Sequence, residues 1–180
     1  MSSKKILVAD DDSNLLELIR MRLESANYDV ATALNENEAI EEVKKEAFDL
    51  SIIDLRLVRR DGISLMEELH LINPDMPVII LTAHGSIESA VEAMKKGAFD
   101  YLTKPFNPQE LLLQVERAME NRRLTSEVKR LEGLLQERYD FENIVAKSQK
   151  MQRVLEQISR IANTDSTVYI YGESGTGKEL

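Results

Sequence analysis

Two sets of residues in this chain have the types and spacing for phosphate chemistry. The first is dispersed: Asp10, Asp11 and Asp12, then Asp54, Thr82 and Lys104. Converging carboxylates repel one another and resist ionising together. A hard divalent cation removes that conflict, and Mg²⁺ favours carboxylate, carbonyl and water oxygens. With Mg²⁺ in place, one carboxylate can act as a nucleophile toward phosphorus. The cation and a lysine then offset charge on the phosphoryl oxygens, and a threonine hydroxyl can hydrogen-bond the product. The set suits formation of an acyl phosphate on an aspartate. The second set is contiguous: Gly172-Glu173-Ser174-Gly175-Thr176-Gly177-Lys178, directly after the apolar run TVYIY. Backbone N–H groups of such a loop cradle phosphates, and Lys178 would reach the β and γ oxygens. Glu179 stands where the general motif has Ser or Thr.

The dispersed set depends on elements that bring it together, and the patterning supplies them. KILVA (5–9), DVATA (29–33), the run at Leu50, Ile52 and Ile53, PVIILT (77–82) and Phe99–Leu102 read as five strands. Between them, residues 13–26, 36–46, 63–72 and 86–96 repeat apolar residues at helical spacing, the last ended by Gly97. Pro108 opens a fifth helix at its first turn, where proline is tolerated. Five βα units predict an α/β fold, a parallel sheet covered by helices on both faces. In such sheets ligands bind at the carboxyl ends of the strands. Asp10 to Asp12, Asp54, Thr82 and Lys104 all fall at those ends, on one rim. Aspartates also favour turns and helix N-caps, which accounts for Asp12 or Ser13. It does not account for Asp10, Asp11 and Asp54 together with a threonine and a lysine.

Composition narrows the function classes. Acids outnumber bases 32 to 23, which argues against nucleic acid or a membrane as the main working surface. The absence of cysteine excludes disulfides, thiol catalysis and cysteine-bound metal. No apolar run approaches the ~20 residues needed to cross a bilayer, and MSSKKILVADDD does not read as a signal peptide. A cytoplasmic protein is expected. Residues 1–106 carry 20 acids and 12 bases, whereas 107–180 carry 12 and 11, so two differently built regions are expected.

VADDD (8–12), IIDLRL (52–57), DG (61–62), LTA (81–83) and GAFDYLTKPF (97–106) follow in an order and spacing that resemble the receiver domain of two-component response regulators. The resemblance covers residues 4–121. It implies a doubly wound, five-stranded sheet of order 2-1-3-4-5, with Asp54 as the phosphoacceptor. It implies Mg²⁺ bound by the side chains of Asp11 and Asp54 and the carbonyl of Arg56, with Asp10 acting through water. Lys104 would pair with the acidic cluster and the phosphoryl group, Thr82 would swing toward the phosphate, and Tyr101 would be the coupled aromatic switch. Lys104–Pro105 would be cis. Val58, Arg59 and Arg60 depart from the family pattern, which carries a proline at the first of these positions. Arg59 and Arg60 read as solvated or as contacts to the phosphoryl group or kinase. His84, close to the site by position, reads as a loop residue or a modulator of attacking water.

From Gln109 to Glu132 the chain holds no Gly or Pro, and Leu124, Val128, Leu131 and Leu135 repeat in 4-3-4 spacing. That is a short coiled-coil seam, or else a solvated linker helix, weakened at Gly133. Met151, Val154, Leu155, Ile158 and Ile161 then form an amphipathic helix, and TVYIY (167–171) a strand. YGESGTGKEL resembles the Walker A loop of the AAA+ domain of NtrC-type activators, in which Glu is usual at the position of Glu179. The expected organisation is a receiver over 1–121, a helical linker over 122–141, and over 142–180 the opening of a sigma-54 interaction domain. ATP would belong to the full-length parent, and the fragment is expected to be inactive as an ATPase.

The implied function is a signalling switch. A sensor histidine kinase phosphorylates Asp54, the receiver catalysing its own phosphorylation and dephosphorylation, and the output acts on sigma-54 RNA polymerase and DNA through regions outside 1–180. A homodimer through the linker helix is expected. A phosphatase with an aspartyl nucleophile would need a second Asp two residues after Asp54, where Arg56 stands. A free-standing adaptor acting by dimerisation is the remaining alternative.

Overall fold

The structure, a computed structural model, describes residues 4–57, 61–83, 87–139, 148–162, 164, 167–176 and 178. Val58, Arg59, Arg60, His84, Gly177 and Glu179 lie outside them. The chain divides into two units, Met1–Val128 and Lys129–Leu180.

In the first unit, β1 (Lys5–Ala9), β2 (Asp29–Ala33), β3 (Leu50–Asp54), β4 (Val78–Ala83) and β5 (Asp100–Lys104) alternate with helices. These are α1 (Ser13–Glu24), α2 (Glu36–Lys45), α3 (Gly62–Ile72), α4 (Ile87–Lys95) and α5 (Pro108–Tyr139), which continues past Val128 into the second unit. The strands form one parallel sheet of order β2-β1-β3-β4-β5, as the resemblance implies. Alternation along the strands sends residues to two separate cores. Ile6, Val8, Ile52, Ile79 and Leu81 meet Leu16, Ile19 and Leu23 of α1 and Leu111, Val115 and Ala118 of α5. Leu7, Ala9, Ile53, Val78 and Ile80 meet α2, α3 and Ala93 of α4 on the other face. Both faces are covered, so the central strands read as continuous apolar runs rather than alternating ones. Each fully buried Ile or Leu contributes about 1.5–3 kcal/mol, so this double core holds the rim in place.

Local signals set the helix ends. Asp12, not Ser13, caps α1 by accepting from the N–H groups of Asn14 and Leu15. Gly97, at φ 103°, ends the α4 turn in a conformation that favours glycine. α5 runs unbroken through Gly133, so the ~1 kcal/mol cost of that glycine does not stop it.

In the second unit, α6 (Gln149–Ile161) is the expected amphipathic helix, capped by Ser148. Residues 167–171 do not form the predicted strand. A strand exists through ladder bonds to a neighbour, and no described residue provides one. Tyr169 and Tyr171 are instead exposed and stack on one another, 6.5 Å between ring centres.

Candidate functional site

The sheet order reverses direction between β1 and β3, because the chain goes outward from β1 to β2 and returns to β3 on the other side. A crevice opens there at the strand ends. Asp10 and Asp11 follow β1, and Asp54 ends β3. Each of the three offers a carboxylate oxygen, and these atoms lie within 4.8 Å of one another. Lys104, ending β5, joins them: its Nζ is 2.6 Å from Asp10 Oδ2 and 3.2 Å from Asp54 Oδ2. Residues 94 positions apart in sequence therefore share a hydrogen bond.

The three consecutive aspartates have different surroundings. Asp10 is fully buried, receives Lys104, and accepts from the N–H of Asp12. Asp11 is exposed beside it. Asp12 caps α1. This gives buried and solvent-facing hard oxygen donors in one cluster, which fits Mg²⁺.

Burial raises the pKa of the Asp54 carboxyl above the usual range, against the pull of Lys104 and with the support of Asp10. For Lys104, burial works against the charged form, but the Asp10 and Asp54 carboxylates outweigh it and the ammonium is held more firmly than usual.

Thr82 is buried on β4, in register with Thr103 of β5. Tyr101 lies on β5 opposite Ile80, 42% exposed. Arg56 forms an isolated bridge with Asp61, and its backbone N–H bonds the Asp54 carboxylate. The Lys104–Pro105 bond is cis.

One residue at this site had no role in the sequence reading. A Cβ on Gly62 would lie 2.1 Å from the carbonyl oxygen of Asp54. The Gly62 N–H also donates to Leu55 O at 2.8 Å. Only glycine lets the loop after β3 close against the backbone of Asp54. The Asp61-Gly62 pair was the available signal.

The apolar groove between α1 and the start of α5, about 290 Å³ and lined by Leu18, Met21 and Phe106, is separate from this cluster.

The contiguous set is differently placed. Gly172 to Thr176 and Lys178 are exposed. Gly175 has φ 82°. Thr176 Oγ1 donates to Glu173 O at 2.8 Å, and Lys178 Nζ to Gly172 O at 2.9 Å and Glu173 O at 2.5 Å. The loop's lysine is thus engaged with the loop's own carbonyls.

Residues 6–116 match the response regulator receiver domain, and residues 144–180 match the sigma-54 interaction domain. The chain belongs to the response regulators. The order of its two matches is that of the NtrC-type, sigma-54-dependent members. The transcriptional regulatory protein GlrR of Escherichia coli (strain K12) is 42% identical over 175 residues, 97% of this chain and 37% of GlrR. The chain thus spans less than two fifths of the length of that relative. NtrX from Brucella abortus, solved in complex with ATP, is 34% identical with a TM-score of 0.70, over 99% of this chain and 39% of NtrX. The beryllofluoride-activated NtrC4 receiver domain dimer is 33% identical with a TM-score of 0.63, over 66% of this chain and 98% of that receiver. Among the described residues, no helix is long and apolar enough to cross a membrane.

Proposed function

We propose that this response regulator is a switch thrown by phosphorylation of Asp54. The observation that carries the reading is the position of the Asp54 carboxylate, buried at the switch point of the sheet, 3.2 Å from Lys104 and clustered with Asp10 and Asp11. An Asp54 oxygen attacks the phosphorus of a phosphohistidine on a sensor histidine kinase. The P–N bond breaks, and its electron pair stays with the departing imidazole. Lys104 neutralises phosphoryl oxygens as they approach, and the Thr82 hydroxyl donates to one of them. Asp11, Asp54 and the Arg56 carbonyl would hold Mg²⁺, with Asp10 acting through water. The ion, when bound, offsets the negative charge that gathers on the phosphoryl group. Displacement of Thr82 would change the packing around Tyr101 and so the surface beside α5.

The output is that of a sigma-54-dependent transcriptional activator in the cytoplasm, with ATP bound at Gly172–Glu179 in a longer protein. Contacts to sigma-54 RNA polymerase and DNA would lie outside these 180 residues. Leu124, Val128 and Leu131 form a half-exposed stripe on α5, and a narrow stripe of this kind suits pairing with a second copy. The NtrC4 receiver dimer is a precedent for a related receiver that dimerises.

The test is intact mass after acetyl phosphate, with and without Mg²⁺, followed by sedimentation. One added phosphoryl group in the presence of Mg²⁺, with a shift toward dimer, is expected. No added mass would sink the reading. An added phosphoryl group with no change in sedimentation would remove the dimer from it.

A further inference from the structure

The end of the sheet away from Asp54 carries its own polar cluster. Phe48 and Asp49 immediately precede β3, about 17–20 Å from its aspartate end at ~3.3 Å per residue. Asp49 accepts from Lys4 Nζ at 3.3 Å and from the N–H of Lys5 at 3.0 Å. One residue of α5 reaches this cluster. The Arg122 guanidinium donates to the Phe48 carbonyl and sits 3.6 Å from Asp49 Oδ1. Asn73, at the end of α3, approaches the same carbonyl at 3.4 Å.

We infer that Arg122 is a clasp that holds α5 to the end of the sheet for one turn beyond Ala118, and thereby sets the direction in which the Leu124/Val128 stripe leaves the receiver.

Leu111, Val115 and Ala118 are fully buried against the sheet, and Arg122 continues that spacing by one more turn. The face that is apolar over the sheet therefore becomes a guanidinium at the sheet's end. One nitrogen of it, Nη1, serves the Phe48 carbonyl and faces the Asp49 carboxylate together. At 3.6 residues per turn, Leu124 and Val128 lie about 200° and 240° round the helix from Arg122. They are 50% and 53% exposed. The stripe thus faces away from the clasp, and a helix that bends or frays beyond Ala118 would scatter it. Arg123 provides an internal comparison. It bonds Glu120 in its own helix at 2.8 Å and is mostly exposed, so it should hold no such position.

The consequence for signalling rests on α5 being the output connection, but the clasp can be tested without it. The cysteine-free chain accepts two spin labels, at Glu41→Cys on α2 and Ser126→Cys on α5, both exposed. Double electron–electron resonance on labelled protein diluted with unlabelled protein reads the distance within one molecule. A single narrow distribution is expected for the doubly labelled parent and for Arg123→Ala, and loss of that narrow peak for Arg122→Ala. If Arg122→Ala does not fold, Arg122→Gln carries the same comparison. Phosphorylation at Asp54, at the opposite end, should persist in every folded variant. A distribution as narrow as the parent's in the folded Arg122 variant overturns the clasp. Sedimentation of the same samples reads the dimer, so the two ideas fail separately.

Discussion

The two sets of residues proposed to handle phosphate differ in how they are assembled. The acidic site draws on Asp10, Asp11, Asp54 and Lys104, which no stretch of sequence holds together; a double-cored sheet gathers the three carboxylates to within 4.8 Å and sets Lys104 at 2.6 Å from Asp10 and 3.2 Å from Asp54. The Gly172–Lys178 loop is written in seven consecutive residues, yet its lysine bonds the loop's own carbonyls in solvent. Contiguity makes a motif easy to read. Convergence from distant positions, held by burial, is what positions chemistry.

The sharpest way to break this comparison is Asp54→Asn. Phosphoryl incorporation from acetyl phosphate should vanish, and an intact-mass gain in that variant would place the acceptor elsewhere. Next comes Asp11→Ala, which removes the exposed carboxylate of the cluster. Loss of one charged ligand should weaken Mg²⁺ by about tenfold or more, the equivalent of ~1.4 kcal/mol. Calorimetric titration giving the parent's affinity would take Asp11 out of the metal site. Gly62→Ala tests whether backbone closure supports the site. The added methyl cannot fit 2.1 Å from the Asp54 carbonyl, so the loop must shift, at about 1–3 kcal/mol as for other overpacked positions. A urea midpoint equal to the parent's would show that the loop gives way freely.

The pH dependence is smaller, and its sign follows from the raised pKa of Asp54, whose first cause is burial. Folded protein holds that proton more tightly than unfolded protein. The contribution of Asp54 to stability therefore falls as pH rises from the ordinary aspartate range through the raised folded value. Asp54→Asn should flatten this part of a metal-free stability profile, and an unchanged slope would assign the effect to another group. The smallest effect is expected on the other motif. Lys178→Ala should leave phosphorylation and thermal stability as they are, and the 180-residue chain should not turn over ATP. Turnover abolished by Lys178→Ala would erase the contrast between the two regions.

Much of this was legible in the sequence because strand ends are predictable. A β-rich run followed by aspartate, repeated at parallel-sheet spacing, places its polar residues on one rim whatever the helix details. That is why Asp10, Asp11, Asp54, Thr82 and Lys104 could be named together. Residues 167–171 were misread for the converse reason. TVYIY has strand composition, but composition is a preference for a pleated, half-buried surface, and no described neighbour offers one. The contacts of Gly62 and Arg122 went unread because each is made to a backbone carbonyl, of Asp54 and Phe48 respectively, that no side-chain pattern reveals.

The Asp10-Asp11-Asp12 triplet has a consequence for mutational tolerance. Three identical letters have three unlike surroundings: a buried partner for Lys104, an exposed carboxylate at the cluster, and a helix cap. Their freedom to vary must differ accordingly. The cap can be served by Ser, Thr or Asn, since any short side-chain oxygen suffices. The exposed carboxylate, as the proposed Mg²⁺ ligand, needs its charge but not a tight fit. The buried partner needs both charge and length, because neutralising it leaves Lys104 with Asp54 as its one remaining carboxylate partner among those described, and lengthening it drives a methylene into a filled interior. A run that looks redundant on paper is therefore a gradient, from permissive at Asp12 to nearly fixed at Asp10, over three consecutive codons.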